Sequence, residues 1–263
     1  MNQSKRPIGV FDSGIGGLTV LEQMIKLYPN ENFYYVADQG HCPYGTKTPE
    51  QIGERVYKVA SHLASKGAKA IVIACNTASI HIAQAQKATD VPVISVIQPT
   101  CQHAIDTTKN NKVAVLATIA TINNGIYQQL LSDANVTPVP LRCSEFVDFV
   151  ENNDLDDPKG DKIVADKLAE IKDEGFDTLI HGCTHFSLVE PQMRKVLGDI
   201  NYVACGEPTG KHLGKILAEQ GLLNDSNQPG TVEIYTTGSV ENALANMKWF
   251  KAEHKPVTHV DID

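Results

Sequence analysis

Short apolar runs bounded by turn residues recur along the chain, and each of them predicts a β-strand. Between many of these runs, apolar residues recur at helical spacing, as Ile52, Val56, Val59 and Leu63 do. The predicted strands are Ile8–Phe11, Asn32–Ala37, Ala70–Ala74, Val91–Ile94, Lys112–Ala117, Thr137–Pro140, Thr178–His181, Tyr202–Ala204 and Val232–Thr236. The predicted helices are Leu18–Leu27, Pro49–Ser65, Gly125–Ser132, Lys159–Glu174, Glu190–Leu197, Thr209–Gln220 and Val240–Phe250.

The alternation of strands and helices predicts an α/β fold, with mostly parallel sheets flanked by crossover helices. A continuously apolar run such as Ala70–Ala74 is typical of a strand that is buried on both faces of its sheet.

The chain also contains a faint internal repeat. Lys69–Thr77 resembles Asp177–His185 at an offset of 108 residues, and Ile8–Ser13 resembles Val113–Thr118 at an offset of 105. Two independent pairs at nearly the same offset predict two similar, pseudo-symmetric α/β domains.

We therefore expect a first domain at residues 1–97, to which the segment 210–263 returns, and a second domain at residues 98–209. The returning segment is too short to form a further domain of the same kind. The tail from Lys251 onward is polar, and we expect it to fray.

Composition narrows the possible functions. The chain has 263 residues, of which 42% are hydrophobic and 21% charged, as in ordinary soluble domains. The formal net charge of −8 argues against a broad nucleic-acid surface, which needs clustered Lys and Arg. There is no apolar run near the roughly 20 residues of a membrane span. The polar N-terminal residues do not resemble a signal peptide. We expect a cytoplasmic protein with no nucleic-acid or membrane partner.

Two of the six cysteines occupy equivalent places in the repeat. Cys75 and Cys183 each end an apolar strand, where open α/β sheets bind their ligands. If the two domains face each other, one thiol could remove a proton from a carbon atom and the other could return a proton to the opposite face. The remaining cysteines lack this context, and we expect them to be core or rim residues. They are Cys42, Cys101, Cys143 and Cys205.

Other chemistries have weaker support. Cys183 and His185 form a short Cys-x-His pair, but no Cys-x-x-Cys or His-x-x-x-His spacing supports a metal site. The glycine-rich turn Asp12–Leu18 lacks the pattern of a P-loop or of a dinucleotide fingerprint, although its amides could hold a carboxylate. Because no Lys ends a strand beside these motifs, a pyridoxal Schiff base is not indicated.

Four motifs in order resemble the glutamate racemases of the cofactor-independent Asp/Glu racemase superfamily. They are Asp12–Leu18, Cys42–Gly45, Ala74–Ala78 and Gly182–Phe186. The resemblance runs from about Ile8 to about Trp249. It implies two pseudo-symmetric α/β domains with a glutamate site in the cleft between them, and a homodimer.

The resemblance also implies residue roles. Cys75 and Cys183 would be the two acid/base thiols, with Asp12 assisting the first and with Glu151 and His185 assisting the second. Glu151 is included because Cys143–Glu151 resembles a family segment that ends in a functional glutamate. The residues implied in substrate binding are Asp12, Ser13, Tyr44, Gly45, Asn76, Thr77, Thr118, Thr121, Thr184 and His185.

The implied activity is the interconversion of L- and D-glutamate without a cofactor or metal, supplying D-glutamate for peptidoglycan and so for cell-wall biogenesis and cell shape. Three alternatives stay open. The first is an aspartate racemase, since one methylene changes binding by only about 1–3 kcal/mol. The second is a binding or regulatory homologue without turnover, and the third is a thiol redox or zinc protein. The sequence departs from the family pattern at Gln39, Ser187 and Ala204–Pro208, positions that we expect at the hinge and cleft rim.

Overall fold

A computed structural model describes residues 3–152 and 155–263, which form two compact units. Unit 1 comprises the chain up to Val96 together with Gly206–Asp263, and unit 2 comprises Ile97–Cys205. A helix of unit 1 begins at Gly206. Residues 206–209, which we expected in the second domain, therefore lie in unit 1.

Each unit is built on one parallel sheet. The strands are β1 (Ile8–Asp12), β2 (Phe33–Ala37), β3 (Ala70–Ile73), β4 (Val93–Ser95), β5 (Lys112–Ala117), β6 (Thr137–Arg142), β7 (Thr178–Gly182), β8 (Asn201–Val203), β9 (Val232–Thr236) and β10 (Thr258–His259). The sheet of unit 1 has the order β10-β9-β2-β1-β3-β4, and that of unit 2 has the order β6-β5-β7-β8. All nine predicted strands are confirmed within a few residues.

The helices flank these sheets. They are α1 (Leu18–Leu27), α2 (Pro49–Ser65), α3 (Asn76–Ser79), α4 (Ile82–Lys87), α5 (Ile97–Thr107), α6 (Ile119–Asn124), α7 (Ile126–Asp133), α8 (Ser144–Asn152), α9 (Lys159–Leu168), α10 (Glu190–Leu197), α11 (Gly206–Glu219) and α12 (Val240–Asn246). Short 3-10 helices lie at Gln3–Lys5, Gln39–His41, Tyr44–Thr46 and Thr184–Val189. No helix in the described part of the chain is long and apolar enough to cross a membrane.

The register of the two sheets confirms the internal repeat. In unit 1, Ile8 of β1 pairs with Ala70 of β3, and in unit 2, Val113 of β5 pairs with Thr178 of β7. These pairs are related by the same offsets, 105 and 108, that the sequence motifs show. The order β2-β1-β3-β4 therefore recurs as β6-β5-β7-β8, with equivalent strand ends in each unit.

Some predicted helices differ from the observed ones. The helix predicted at Lys159–Glu174 ends at Leu168, and the one predicted at Val240–Phe250 ends at Asn246. Helix α5 was not predicted, because Pro99 and the polar residues beside it were interpreted as a domain boundary. Proline is compatible with the first turn of a helix, since the amide it lacks has no partner there.

The expectation of a frayed tail is wrong. Strand β10 adds to the edge strand β9, and the side chain of Ile262 is 8% exposed in the apolar core of unit 1. The carbonyl of Ile262 also accepts a hydrogen bond from Arg55 at 2.7 Å. Strand pairing, a buried apolar side chain and backbone hydrogen bonds such as that from the Val260 amide to the Thr236 carbonyl thus hold a segment whose composition is polar.

Candidate active site

In unit 1, adjacent parallel strands bring Asp12 and Cys75 to the same sheet edge. Asp12 is the last residue of β1, and Cys75 follows β3 as the N-cap of α3. The Cys75 Sγ accepts a hydrogen bond from the Ala78 amide at 3.4 Å and lies 3.5 Å from the Ser13 Oγ. Ser13 in turn donates to the Asp12 carboxylate at 3.5 Å. The structure therefore groups two predicted site residues, Asp12 and Ser13, near the Cys75 sulfur atom.

The surroundings of Cys75 favour the protonated thiol. Burial raises the pKa of Cys75, and the negative charge of Asp12 raises it further, while the Ala78 amide and Ser13 lower it. The net effect is a raised pKa. At neutral pH this sulfur carries its proton and is equipped to donate it.

The glycine-rich turn after β1 is shaped by close packing. A Cβ on Gly17 would lie 2.5 Å from the Asp12 Cβ and 2.7 Å from the Tyr35 hydroxyl, so a larger residue does not fit. The Asp12 carboxylate accepts the Gly14 amide at 2.8 Å, and Tyr35 donates to the Gly14 carbonyl at 2.8 Å. The turn thus fixes the orientation of the Asp12 carboxylate.

The other predicted binding residues of unit 1 differ in whether they are buried or exposed. Asn76 and Thr77 are buried in α3, directly after Cys75. Tyr44 is also buried, and its hydroxyl donates to the Asp38 carboxylate at 2.5 Å. Gly45 in the same 3-10 turn is exposed. A ligand would therefore meet this turn through its backbone and not through the Tyr44 hydroxyl.

In unit 2, the equivalent strand end carries a linear arrangement of three side chains. The Cys183 Sγ lies 3.6 Å from the Nδ1 of His185, and the Nε2 of His185 lies 2.7 Å from the Glu151 Oε1. Cys183 and His185 follow β7, whereas Glu151 is supplied by α8. Cys183 is 8% exposed, comparable with the 7% of Cys75.

The two partners of His185 favour its charged form. Burial lowers the pKa of His185, but the hydrogen bonds and charges of Cys183 and Glu151 outweigh this effect and hold the pKa well above its usual range. The charged form of His185 thus lies between the Glu151 carboxylate and the Cys183 sulfur.

The three predicted threonines of unit 2 lie at the same sheet edge. Thr118 follows β5 and caps α6, accepting the Thr121 amide at 3.3 Å, and the two hydroxyls are 3.0 Å apart. Because Ala117 pairs with Gly182, Thr118 lies beside Cys183 in the register. Thr184 is buried directly after this cysteine.

The remaining cysteines are free thiols, as are Cys75 and Cys183. Cys101, Cys143 and Cys205 are buried, and Cys42 is half-buried. Among the described residues, no group of three or more His, Cys, Asp or Glu side chains is placed to hold a metal ion.

Two departures from the family pattern contact one buried histidine. The Cys205 thiol donates to the His181 carbonyl at 3.1 Å, and the Ser187 hydroxyl lies 3.5 Å from the His181 Nδ1. Burial lowers the pKa of His181 to about 3, so this histidine is neutral. Cys205 and Ser187 therefore contact a neutral histidine in β7, the strand that Cys183 follows.

Sequence reasoning missed Asp38 and Arg55. Asp38 follows β2, next to Asp12, whose carbonyl accepts the Asp38 amide at 2.9 Å. Arg55 lies on the buried face of α2, three residues after Ile52, and binds both carboxylate oxygens of Asp38. An arginine within the apolar stripe of a predicted helix was the available signal, since a buried charge needs a partner.

The comparisons with known proteins agree with this geometry. The family profile described as "Asp/Glu/Hydantoin racemase" matches residues 8–205, and the chain belongs to this family. A glutamate racemase from Lysinibacillus sphaericus is 38% identical over 238 residues, covering 89% of this chain and 90% of the relative.

Two solved structures are also similar over nearly the whole chain. A glutamate racemase isoform from Bacillus anthracis has a TM-score of 0.93 at 34% identity, covering 98% of both chains. A glutamate racemase from Francisella tularensis, solved in complex with D-glutamate, has a TM-score of 0.90 at 30% identity, covering 99% of both chains.

Proposed function

We propose that this protein is a glutamate racemase that interconverts L- and D-glutamate by proton transfer at Cα without a cofactor. The observation that carries the proposal is a pair of thiols at equivalent strand ends, each beside ionisable side chains of its own. Cys75 lies with Ser13 and Asp12, and Cys183 lies with His185 and Glu151. Relatives that bear the name glutamate racemase support the choice of substrate.

In the proposed reaction, one sulfur removes the α-proton as a thiolate, and the other delivers its own proton to the opposite face of the planar carbanion. The Cα–H bond breaks on one side and a new one forms on the other, so the substrate gains and loses one proton. The thiols exchange protonation states in each turnover. Backbone amides and hydroxyls at the strand ends would stabilise the carbanion and the substrate carboxylates.

The electrostatics suggest a resting state for this cycle. Cys75 carries a raised pKa, and Cys183 lies beside a protonated His185. We infer that Cys183 begins as the base and Cys75 as the acid. The reverse direction requires Cys75 to lose its proton, and a substrate ammonium group beside Asp12 would offset the carboxylate charge that opposes this loss.

The activity is tested by circular dichroism of L-glutamate incubated with the purified protein and no added cofactor. We expect the signal to decay to zero as the racemate forms, and the double variant C75A/C183A to leave it unchanged. The same reaction in heavy water should place deuterium at Cα of both enantiomers. A persistent signal with the wild-type protein would favour a binding or regulatory homologue.

Aspartate racemisation is the competing activity, and the pocket would have to distinguish the two acids by one methylene. Measuring turnover of both acids in the same preparation decides between them. We expect kcat/KM to be higher for glutamate, and a preference for aspartate would overturn this assignment.

We further propose that the protein acts in the cytoplasm as a homodimer and supplies D-glutamate for peptidoglycan synthesis. Growth of a D-glutamate-requiring bacterium on expression of this chain tests the cellular role. Light scattering of the purified protein tests the oligomeric state, for which a mass of one chain is the contrary result.

A further inference from the structure

A buried carboxylate connects the turn at Tyr44 to the rest of unit 1. The Asp38 side chain is fully buried and accepts hydrogen bonds from the Tyr44 hydroxyl at 2.5 Å and from the Thr237 hydroxyl at 2.9 Å. The His41 Nδ1 lies 3.1 Å from the same carboxylate. The segment 38–44 and the distant Thr237 thus meet at one charged group.

Arg55 supplies the compensating charge. Its Nε donates to the Asp38 Oδ2 at 3.1 Å, and one terminal nitrogen donates to the Oδ1 at 2.8 Å. The other terminal nitrogen donates to the Ile262 carbonyl at 2.7 Å. The planar guanidinium therefore binds the carboxylate with two nitrogens and the C-terminal tail with the third, an arrangement that the single ammonium of lysine does not reproduce.

Tyr44 and Arg55 both keep their protons in this cluster. Burial and the Asp38 charge raise the pKa of Tyr44 well above its usual range, so its hydroxyl remains a donor. Burial lowers the pKa of Arg55, but its contacts with Asp38 outweigh this effect and raise it. Both groups therefore remain donors to the Asp38 carboxylate.

The cluster also adjoins the thiol of unit 1. Tyr44, Cys75 and Ile262 belong to the same apolar core cluster, and Cys75 is close enough to influence the pKa of Tyr44. The exposed backbone of Gly45 follows Tyr44 directly in the 3-10 turn. The position of Tyr44 therefore sets where this backbone lies relative to Cys75.

We propose that the tail segment 260–262 is a positioning element of the substrate site in unit 1, acting through Arg55, Asp38 and Tyr44. This inference rests on the proposed racemase function. The tail does not touch substrate in this scheme. It holds Arg55 in the orientation that keeps Asp38 and Tyr44 in place, and so preorganises the turn that carries Gly45.

The kinetic test is Arg55→Lys, which keeps the charge and loses the three-way geometry. A misplaced binding turn weakens substrate binding before it alters chemistry, so we expect KM for glutamate to rise about 10-fold while kcat changes less than about 3-fold. The matched control is Arg194→Lys, the same change in an exposed ion pair with Glu190, which should leave both constants unchanged. The proposal is wrong if Arg55→Lys leaves KM unchanged, whether or not kcat falls.

A second variant covers the case in which Arg55→Lys does not fold. Thr237→Val removes one hydrogen-bond donor to Asp38 and the acceptor of the Gly40 amide, and it leaves Arg55 in place. We expect KM to rise about 2- to 3-fold with kcat unchanged. No change in KM would count against the proposal.

Hydrogen exchange separates this inference from the proposed function. Ile262→Ala weakens the anchor of the tail, and we expect faster amide exchange in residues 39–48, a segment that includes the Tyr44 turn. If only the amides of the tail exchange faster in this variant, the proposed link between the tail and the Tyr44 turn is wrong. If the coupling is observed and the wild-type protein does not racemise glutamate, the proposed function fails while the mechanical link stands.

Discussion

The two units have the same strand arrangement, but different side chains lie beside the sulfur atoms of Cys75 and Cys183. β1 and β3 in unit 1 pair in the same register as β5 and β7 in unit 2. Cys75 is accompanied by a hydroxyl, a backbone amide and the Asp12 carboxylate, whereas Cys183 is accompanied by His185 backed by Glu151. The repeated strands fix the position of each thiol, and the side chains around the strand ends set its charge environment.

The two proposed half-sites, one around Cys75 and one around Cys183, also differ in how far along the chain their supporting residues lie. The partners of Cys183 come from within unit 2, with Glu151 as the most distant. The Tyr44 turn is linked by hydrogen bonds through Asp38 and Arg55 to the Ile262 carbonyl, 207 residues away from that arginine. The proposed reaction can therefore depend on two half-sites with different tolerance to mutation.

The largest expected effect comes from removing either sulfur. Cys75→Ser and Cys183→Ser should each lower racemisation about 10³-fold, because each variant lacks an efficient acid/base on one face of the substrate. Loss of circular dichroism from L- and from D-glutamate measures the rates. Cys143→Ala is the matched control, a buried thiol outside the proposed site, and should retain wild-type activity. Near-normal turnover in either serine variant contradicts the two-thiol mechanism.

A smaller effect is expected from His185→Asn, about 10²-fold, because it removes the imidazolium beside Cys183. α-Proton exchange in heavy water, measured by proton NMR from each pure enantiomer, should fall more for the enantiomer whose proton Cys183 removes. Asp12→Asn should show the opposite enantiomer preference. Equal losses for both enantiomers in both variants would remove the functional distinction between the half-sites.

Glu151→Gln is expected to lower kcat/KM about 10-fold and to alter its pH dependence. Glu151 helps to hold the pKa of His185 above its usual range, so its neutral replacement lets that pKa fall. If protonated His185 is required, the basic limb of the pH profile must then move to lower pH. A basic limb that stays in place, or moves to higher pH, argues against this role.

The smallest effect is expected from Ser13→Ala. The Ser13 hydroxyl lowers the pKa of Cys75 against the effects of burial and Asp12, so its removal should raise that pKa further. We expect a fall in kcat/KM of about 3-fold, as for one modest hydrogen bond, and slower alkylation of Cys75 followed by mass spectrometry. Faster alkylation of this cysteine would show that the hydroxyl has the opposite effect.

The sequence was sufficient for the elements that rest on local patterns. Buried strands such as β3 and β7 are short apolar runs, and their ends carry Cys75 and Cys183, so the thiol positions and the repeat could both be predicted. The resemblance placed Glu151 and His185 with Cys183, but the contact between these two side chains was not predicted, because nothing local in the residues of α8 indicates it.

The cluster around Asp38 escaped prediction for a physical reason. Its members lie on β2, on α2, after β9 and in the tail, and no local spacing records that a carboxylate, a guanidinium and a distant carbonyl will meet. The tail was misjudged for the same reason, since the pairing of β10 with β9 and the burial of the Ile262 side chain hold it despite its polar composition.

The interruption of unit 1 by unit 2 has a consequence for the order of folding during synthesis. Domains fold as units once their residues are available, and the amino-terminal residues emerge first. Here the residues up to Val96 emerge first but cannot complete their sheet until β9 and β10 follow. Unit 2 is continuous in sequence and can close before unit 1 does. The half-site around Cys75 is therefore assembled after the one around Cys183. Until β9 is in place, the edge of β2 that it will cover needs protection from other chains.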